Sequence, residues 1–274
     1  MASPRALACP ASLKGVLSAR EAAAALARGL GHCDELPLAD GGEGTSDVVP
    51  GVVEASSVIP FDAAHLDPFT SSRPFGELLA GMQRDRLLIG LGGTANMDAG
   101  AGLLEVLHSL PPTTVLCDVQ TTLYDAPRLY GPQKGAGPEE VAELEARFRA
   151  DERLAPYAHL PGSGAAGGLG AALASLGADL VPGAATVLDL LGFDPAAYDL
   201  VVTGEGRVDA TTAEGKVPFE VARRCRAAVV RCVVFGGLVA EPLPGVETVA
   251  LSGDPARAVA DLEELGSRLL DASG

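Results

Sequence analysis

Two carboxylates and three glycines lie together at residues 40–44, within the stretch "LPLADGGEGTSDVV" of residues 36–49. The carboxylates are Asp40 and Glu43, and the glycines around them are Gly41, Gly42 and Gly44. A turn needs one glycine or two, so three of them beside two acids indicate a backbone that closely approaches a ligand. The carboxylates would face that ligand.

Further acids follow other predicted strands. "TGEGRVD" places Glu205, Arg207 and Asp209 at alternating positions, so an extended backbone would direct all three to one side. Asp98 in "GGTANMDAG" and Asp118 in "LCDV" stand at two more strand ends. Magnesium beside a nucleotide takes one or two carboxylates plus phosphate oxygens, which this set can supply. For any single acid, a turn-forming role is the commoner explanation.

The chain has only three lysines, Lys14, Lys134 and Lys216, and each is next to a glycine. A lysine beside accessible backbone can bind a phosphate as a point charge. A single lysine of this kind usually lies in a solvent-exposed turn. Because all three lysines have this setting, we expect at least one of them to bind phosphate. "AEGKVP" is not a P-loop, because Ala210 occupies the position of its first glycine and Val217 replaces the Ser or Thr.

The stretch "PGSGAAGGLG" contains a formal G-x-G-x-x-G at Gly162, Gly164 and Gly167. A dinucleotide fingerprint needs a strand immediately before it, and "APYAHLP" is a poor strand, so that interpretation fails. A glycine-rich loop that leads into a helix can still bind an anion through free N–H groups. Close helix packing explains the glycines equally well.

Strands and helices that would position these residues alternate along the chain. Hydrophobic patterns and caps predict helices at 19–30, 76–83, 102–108, 138–149, 167–176 and from 254 to about 270. Strands are predicted at 36–39, 86–93, 113–119, the first part of 198–209, and 229–237. This alternation is typical of a parallel α/β sheet, whose strands form a ligand crevice at their carboxyl ends. Four polar loops should meet there: 40–45, 92–102, 118 onward and 204–209.

Composition excludes several classes of protein. A net charge of −16 over 274 residues, without Lys and Arg clusters, argues against nucleic acid as a partner. The first residues lack a long apolar segment, and no window has the apolar length of a membrane span, so we expect a cytoplasmic protein without a membrane partner. Five cysteines without a CxxC pair, with four histidines, make a zinc site a poor hypothesis and indicate reduced thiols. Oligomeric state stays open, a homo-oligomer included.

Carboxylates, glycine loops and glycine-flanked lysines together fit phosphoryl transfer to a small anionic acceptor. Lysine and arginine would neutralise phosphate charge, Mg²⁺ would bridge, and a carboxylate would accept the hydroxyl proton.

The same stretches resemble the type I glycerate kinase family. "SLKGVLSAREAAAALARGL", "LPLADGGEGT" and "GLGGTANMDAGAG" are similar to family motifs, as are "GPQKGAGPEEV", "LPGSGAAGGLGAAL" and "VVTGEGRVDATTAEGKVP". The resemblance runs, with gaps, from about residue 8 to 238. It implies ATP-dependent, Mg²⁺-supported phosphorylation of D-glycerate to 2-phosphoglycerate or its 3-isomer. It also implies a Rossmann-like, three-layer parallel-sheet domain, discontinuous in sequence, and a second, smaller and reduced α/β domain, with the substrate between them.

On this resemblance the site residues acquire roles. Lys134 and Lys216 would bind the phosphates, and Arg207 would bind the acceptor carboxylate. Asp209 or Asp98 would accept the hydroxyl proton. Magnesium would be bound by Asp40, Glu43 and Asp118. The nucleotide site would include these residues: Lys14, Gly41, Gly42, Gly44, Gly164, Gly167 and Lys216.

The sequence also departs from the family pattern. Ala11 replaces an aspartate, Gln120 replaces a second acid, and Thr211 replaces a glutamine. A Tyr-Gly-Thr-Gly-Glu motif is reduced to "RPFGE" at residues 73–77. Family chains are longer, and the missing segments fall after Asp47 and between residues 107 and 113. Two alternatives therefore stay open: a non-catalytic paralogue that binds or regulates, and a kinase for another small hydroxy acid.

Overall fold

A computed structural model describes residues 5–271, which fold into parallel sheets covered by helices. The strands are β1 Ala6–Ala8, β2 Cys33–Glu35, β3 Val53–Glu54, β4 Leu87–Leu91, β5 Thr113–Cys117, β6 Asp179–Pro182, β7 Leu200–Val208, β8 Arg231–Val239 and β9 Glu247–Ala250. The helices are α1 Ala19–Leu30, α2 Thr45–Val48, α3 Arg73–Ala80, α4 Ala101–Val106, α5 Ala126–Tyr130, α6 Pro138–Ala150, α7 Ala165–Ser175, α8 Gly183–Leu190, α9 Val217–Ala228 and α10 Ala258–Asp271.

The chain divides into two compact units. The first holds the residues up to Asp40 and those from Val187 onward, and the second holds Gly41–Thr186. Each unit has its own sheet, with five strands in the first and four in the second. The α/β prediction with two parallel-sheet parts is therefore confirmed. The second unit has the smaller sheet but not fewer residues.

The first unit is a doubly wound, three-layer sheet with the strand order β2-β1-β7-β8-β9. All its strand pairs are parallel. Helices α1 and α10 cover one face, where Leu26 and Leu262 pack with Val202 and Phe235. Helix α9 covers the opposite face. The chain order of the strands reverses between β1 and β7, so the carboxyl ends of these two strands mark the expected ligand crevice of this unit.

Helices α1 and α10 pack at unusually short range because each contributes a glycine to the contact. A Cβ atom added at Gly29 would overlap the backbone oxygen of Glu263, and one added at Gly266 would lie 2.6 Å from Leu30 N. Helix α1 begins as predicted, with Ser18 and Glu21 forming a capping box.

The second unit has four parallel strands in sequential order, β3-β4-β5-β6. Its core includes Phe75 of α3, Ile89 of β4, Leu103 of α4, Phe148 of α6 and Leu169 of α7. Helices α3 and α4 approach closely at Gly76, where an added Cβ would lie 2.9 Å from Leu103 Cα. Within residues 5–271, no helix combines the length and apolarity that crossing a membrane requires.

The predicted strand at 36–39 is wrong. The strand lies earlier, at Cys33–Glu35. The residues after it form only isolated hydrogen bonds to the segment that follows β1: Leu36 N to Ala8 O and Leu38 N to Pro10 O, both 2.9 Å. Pro10 has no N–H group and cannot return a bond, so the ladder stops there.

Two further boundaries differ from the predictions. Residues 204–208, expected to be a loop, continue β7 because β8 is long enough to pair with them, Glu205 opposite Gly236 and Arg207 opposite Leu238. The helix expected from residue 167 is regular only after Gly168, because Ala166, Gly167 and Gly168 all have positive φ.

Candidate active site

In the first unit, the polar end of β7 is centred on Glu205. The carboxylate is mostly buried, and Thr212 Oγ1 donates a 2.7 Å hydrogen bond to Glu205 Oε1. Lys216 Nζ lies 3.9 Å from Glu205 Oε2. Burial raises the pKa of Glu205, and the negative charges of Asp40 and Asp209 act in the same direction, against the lowering effect of Lys216. Glu205, which had no assigned role, is thus the most enclosed acid of this cluster.

Asp209 follows four residues after Glu205. Its Oδ1 accepts bonds from Thr211 N (3.0 Å) and Thr211 Oγ1 (2.6 Å), and its Oδ2 accepts one of 3.0 Å from Arg207 Nε. The Thr211 hydroxyl and the Arg207 guanidinium hold the pKa of Asp209 below its usual range. Asp209 also caps the short 3₁₀ helix Ala210–Glu214. It is therefore ionised and positioned at neutral pH.

The loop after β1 lies beside this part of β7. Ala11 N donates a 2.9 Å bond to Gly204 O. A Cβ added at Gly206 would lie 3.3 Å from Lys14 N, so glycine allows the two segments to approach. The first unit therefore brings the predicted residues Lys14, Asp40 and Lys216 to the same region as Glu205, at the carboxyl ends of β1 and β7.

In the second unit, close packing explains Gly41, and a left-handed backbone with φ +85° explains Gly44. Gly41 has φ +97°, and an added Cβ would lie 2.9 Å from Leu116 Cβ. Glu54, 8% exposed, accepts bonds from Gly44 N (3.1 Å) and Ser46 N (2.5 Å). Because Glu54 engages the Gly44 N–H, that group is not available to a phosphate. Gly42 is also buried, and its carbonyl accepts a 2.7 Å bond from Thr45 Oγ1.

Two predicted metal ligands lie against consecutive glycines of the loop after β4. A Cβ added at Gly92 would overlap the carboxylate of Asp118, and one at Gly93 would lie 2.9 Å from Glu43 Oε2. The second unit thus brings Glu43 and Asp118 to the same short segment. Asp40, the third predicted ligand, is in the first unit.

Asp98 is the centre of a hydrogen-bond network rather than an open acid. Its Oδ2 accepts from Ser72 N (2.7 Å), Ser72 Oγ (2.8 Å) and Gly102 N (3.1 Å). Its Oδ1 accepts from Gly100 N (3.0 Å) and Asn96 Nδ2 (3.2 Å). These bonds join the start of α4 to the residue before α3. Five donors occupy the lone pairs that a proton acceptor would need.

Lys134 lies inside the second unit, 9% exposed. Its Nζ donates a 2.8 Å bond to Asn96 O. Burial lowers the pKa of Lys134 to about 8, although the nearby carboxylates of Asp118 and Asp98 act to raise it. This lysine is consequently a buried cation that gains from a further negative charge.

The glycines predicted to bind an anion before α7 are instead closely packed. An added Cβ at Gly164 would overlap Thr122 O, and one at Gly167 would overlap Asn96 O. Gly167 O also accepts a 3.0 Å bond from Ala99 N. Here the helix-packing alternative accounts for both residues.

Among residues 5–271 there is no group of three or more His, Cys, Asp or Glu side chains arranged to hold a metal ion. An all-carboxylate oxygen donor set nevertheless suits Mg²⁺, which needs only one or two protein carboxylates when phosphate oxygens complete its shell. Glu43 and Asp118 satisfy that requirement by chemistry and by their shared neighbouring glycines.

Sequence reasoning missed several buried polar residues of these loops: Glu54, Ser72, Thr94 and Asn96. For Glu54 a signal existed, since it is a lone acid within the apolar run "GVVEA". The other three are small polar residues in glycine-rich segments, where turn formation explains any of them.

Comparison with known proteins identifies the family of this chain. Residues 6–63 and 111–255 match the model of the glycerate kinase family. Glycerate 2-kinase of Escherichia coli (strain K12) is 30% identical over 78% of this chain and 80% of that protein. Glycerate kinase of Bacillus subtilis (strain 168) is 31% identical over 84% of each. The crystal structure of putative glycerate kinase 2 from Salmonella typhimurium LT2 matches with a TM-score of 0.75 and 28% identity, covering 99% of this chain and 98% of that one.

The fold and these matches define a phosphotransferase of the kinase class. The chain belongs to the glycerate kinase family.

Proposed function

We propose that the protein transfers the γ-phosphoryl group of ATP to D-glycerate, giving 2-phosphoglycerate or its 3-isomer. A hydroxyl oxygen of the acceptor forms the new bond to phosphorus, the bond between the γ-phosphorus and the bridging oxygen breaks, and ADP leaves. The hydroxyl proton passes to a carboxylate. The observation that carries the proposal is the cluster of Glu205, Asp209 and Lys216 at the end of β7, in a chain of this family.

Within the first unit, Lys216 would neutralise phosphate charge, and its position next to Glu205 keeps the ammonium at the end of β7. For the acceptor carboxylate there are two candidates: Arg207, whose guanidinium is largely exposed and bonded through Nε to Asp209, and Lys134 in the second unit. Lys14 would add positive charge from the loop after β1. Lys134 would serve an anionic group of a ligand in the second unit.

The proton acceptor is one of two acids. Asp209 is, with Asp98, one of the two bases that the sequence predicts, but Thr211 and Arg207 stabilise its ionised form and make it a weak base. Glu205 has a raised pKa, closer to the value that suits a general base at neutral pH. Loose phosphoryl-transfer transition states need positioning and charge more than a strong base, so Asp209 remains the first candidate.

Glu43 and Asp118 of the second unit would hold Mg²⁺, which would supply charge neutralisation for a phosphate, and Asp40, which belongs to the first unit, is the third predicted ligand. We also infer that the first unit is the Rossmann-like domain, that the second is the reduced one, and that the enzyme works in the cytoplasm.

A second candidate is a family member that binds ligands without turnover. It is favoured by Ala11, an apolar residue beside Gly204 at the end of β1, where the family pattern has an aspartate.

A coupled ADP-release assay with Mg-ATP and D-glycerate tests the proposal. We expect glycerate-dependent turnover that is lost in Lys216→Ala and Lys134→Ala and kept in Arg153→Ala, a control that removes only the exposed pair with Asp151. Asp209→Asn should abolish turnover while ligand binding persists, and Glu205→Gln should shift the acid limb of the pH profile. Unchanged turnover in Asp209→Asn would transfer the base role to Glu205. ATP that stabilises the protein without any turnover would favour the second candidate.

A further inference from the structure

Two buried polar atoms of the loop after β4 have no hydrogen-bond partner within residues 5–271: Thr94 Oγ1 and Asn96 Oδ1. Thr94 is 3% exposed and Asn96 is fully buried. Buried polar groups are almost always paired, because an unpaired one loses its hydration without compensation. Two such atoms, two residues apart in one loop, therefore mark a place where a further polar group is needed.

The orientation of the Asn96 carboxamide is fixed by its other contacts. Its Nδ2 donates to Ala166 O at 2.9 Å and to Asp98 Oδ1 at 3.2 Å. Exchanging the two ends of the amide would place oxygen against two oxygens, so Oδ1 is the unpaired atom and can only accept. The group that binds Asn96 must consequently be a donor, whereas the Thr94 hydroxyl can donate or accept.

A cation lies next to Asn96. Lys134 Nζ is 2.8 Å from the backbone oxygen of Asn96, and its burial costs energy that a ligand anion would offset. A carboxylate or phosphate carries no proton to donate at neutral pH. A ligand that satisfies both Asn96 and Lys134 would present a donor and an anionic group close together, and a small hydroxy acid does so within two or three bonds.

We propose that Thr94 and Asn96 bind a hydroxyl of the hydroxy-acid substrate while Lys134 binds its carboxylate, so that the two residues determine specificity for an acid that carries this hydroxyl. This inference rests on the proposed function. It concerns a segment, residues 64–110, that lies outside the part of the chain matching the family model. A site built to bond a substrate hydroxyl discriminates strongly against an analogue that lacks it.

Thr94→Val tests the inference because it removes the hydroxyl and keeps the shape. The variant should be at least as stable as the wild type when no ligand is present, since an unpaired buried hydroxyl is lost. Its affinity for D-glycerate, measured by calorimetric titration, should fall about tenfold to a hundredfold, the range for a lost hydrogen bond to a ligand. Affinity for ATP should not change.

Analogues identify the bound hydroxyl. Lactate lacks the 3-hydroxyl and 3-hydroxypropionate lacks the 2-hydroxyl, so one of the two should bind wild type and Thr94→Val equally well. The matched control is Thr113→Val: Thr113 is 4% exposed, but its Oγ1 donates a 2.7 Å bond to Pro111 O. That change should lower stability and leave glycerate affinity unaltered.

The inference is overturned if Thr94→Val binds D-glycerate as the wild type does, or loses affinity for ATP alone. It is also overturned if Thr94→Val weakens the binding of glycerate and of both analogues by the same factor relative to the wild type. The same conclusion follows if the wild type does not bind glycerate. A wild type that binds glycerate with this specificity but releases no ADP would instead contradict the proposed function and leave the binding site standing. Turnover with an unaffected Thr94→Val would contradict only the inference.

Discussion

Lys134 Nζ donates a 2.8 Å hydrogen bond to the backbone oxygen of Asn96. The bond joins the segment after α5 to the glycine-rich loop after β4. A buried ammonium with one carbonyl partner is incompletely solvated, which is why the pKa of Lys134 falls to about 8. The bond therefore holds a cation where its charge costs stability until an anion arrives.

The pH dependence of unfolding should reveal this cost. An unfolded lysine titrates near pH 10.5 and folded Lys134 near 8, so between these values the unfolded chain binds more protons and stability rises with pH. Lys134→Met lacks this contribution. The difference in unfolding free energy, wild type minus variant, should increase by roughly 3 kcal/mol from pH 7 to pH 10.5.

Urea unfolding of both proteins at several pH values measures that difference, and subtraction removes the other groups that titrate. A difference that stays constant with pH would mean that the pKa of Lys134 is the same in the folded and the unfolded protein.

Gly29→Ala should destabilise the protein, although the same change in most helices is favourable. The new methyl group would overlap Glu263 O on α10, and overpacking of this kind costs about 1–3 kcal/mol. Urea titration gives the change in unfolding free energy.

Gly81→Ala is the matched control. Gly81 has φ −79° at the end of α3, and an added Cβ has no neighbour closer than 3.6 Å. Its stability should stay the same or rise slightly. Equal effects of the two substitutions would contradict the close contact between α1 and α10.

The sequence was sufficient for elements with a complete local signal. The capping box of Ser18 and Glu21, and Pro138 with Glu139 at the start of α6, define helix starts without tertiary information. The end of β7 could not be predicted in this way. Glycines in "TGEGR" indicate a turn, but pairing with β8 overrides that local preference.

The candidate site was predictable as a set of loops and less so as a set of roles. Asp98 and Asp209 look alike in sequence, each an acid after a strand. The structure separates them, because five donors surround Asp98 while Asp209 is held by Thr211 and Arg207. Such partners come from distant segments, and spacing along the chain does not reveal them.

Val229→Gly should stabilise the protein. Val229 follows α9 with φ +60° and is 93% exposed, so a β-branched residue occupies a left-handed position without burying its side chain. Relief of that strain outweighs the extra chain entropy of glycine by about 1 kcal/mol. Thermal unfolding should show a higher midpoint for Val229→Gly than for Val229→Ala, which keeps Cβ; a midpoint below that of the wild type would refute the strain.

Asp98→Asn separates a structural acid from a catalytic one. The amide replaces one acceptor oxygen by a donor, so at least two of the bonds from Ser72, Asn96, Gly100 and Gly102 are lost or turned repulsive. Unfolding free energy should fall by about 2–4 kcal/mol.

Ser72→Ala provides the comparison for Asp98→Asn. It removes one donor to Asp98 and the 3.0 Å bond from Leu103 N, and it leaves the carboxylate in place. The value of kcat should be measured under conditions in which both variants are folded. If Asp98 only joins α3 to α4, kcat should fall by a similar small factor in both. A kcat that falls a thousandfold in Asp98→Asn alone would instead show that the carboxylate takes part in the reaction, because both variants weaken the same network but only Asp98→Asn removes the acid.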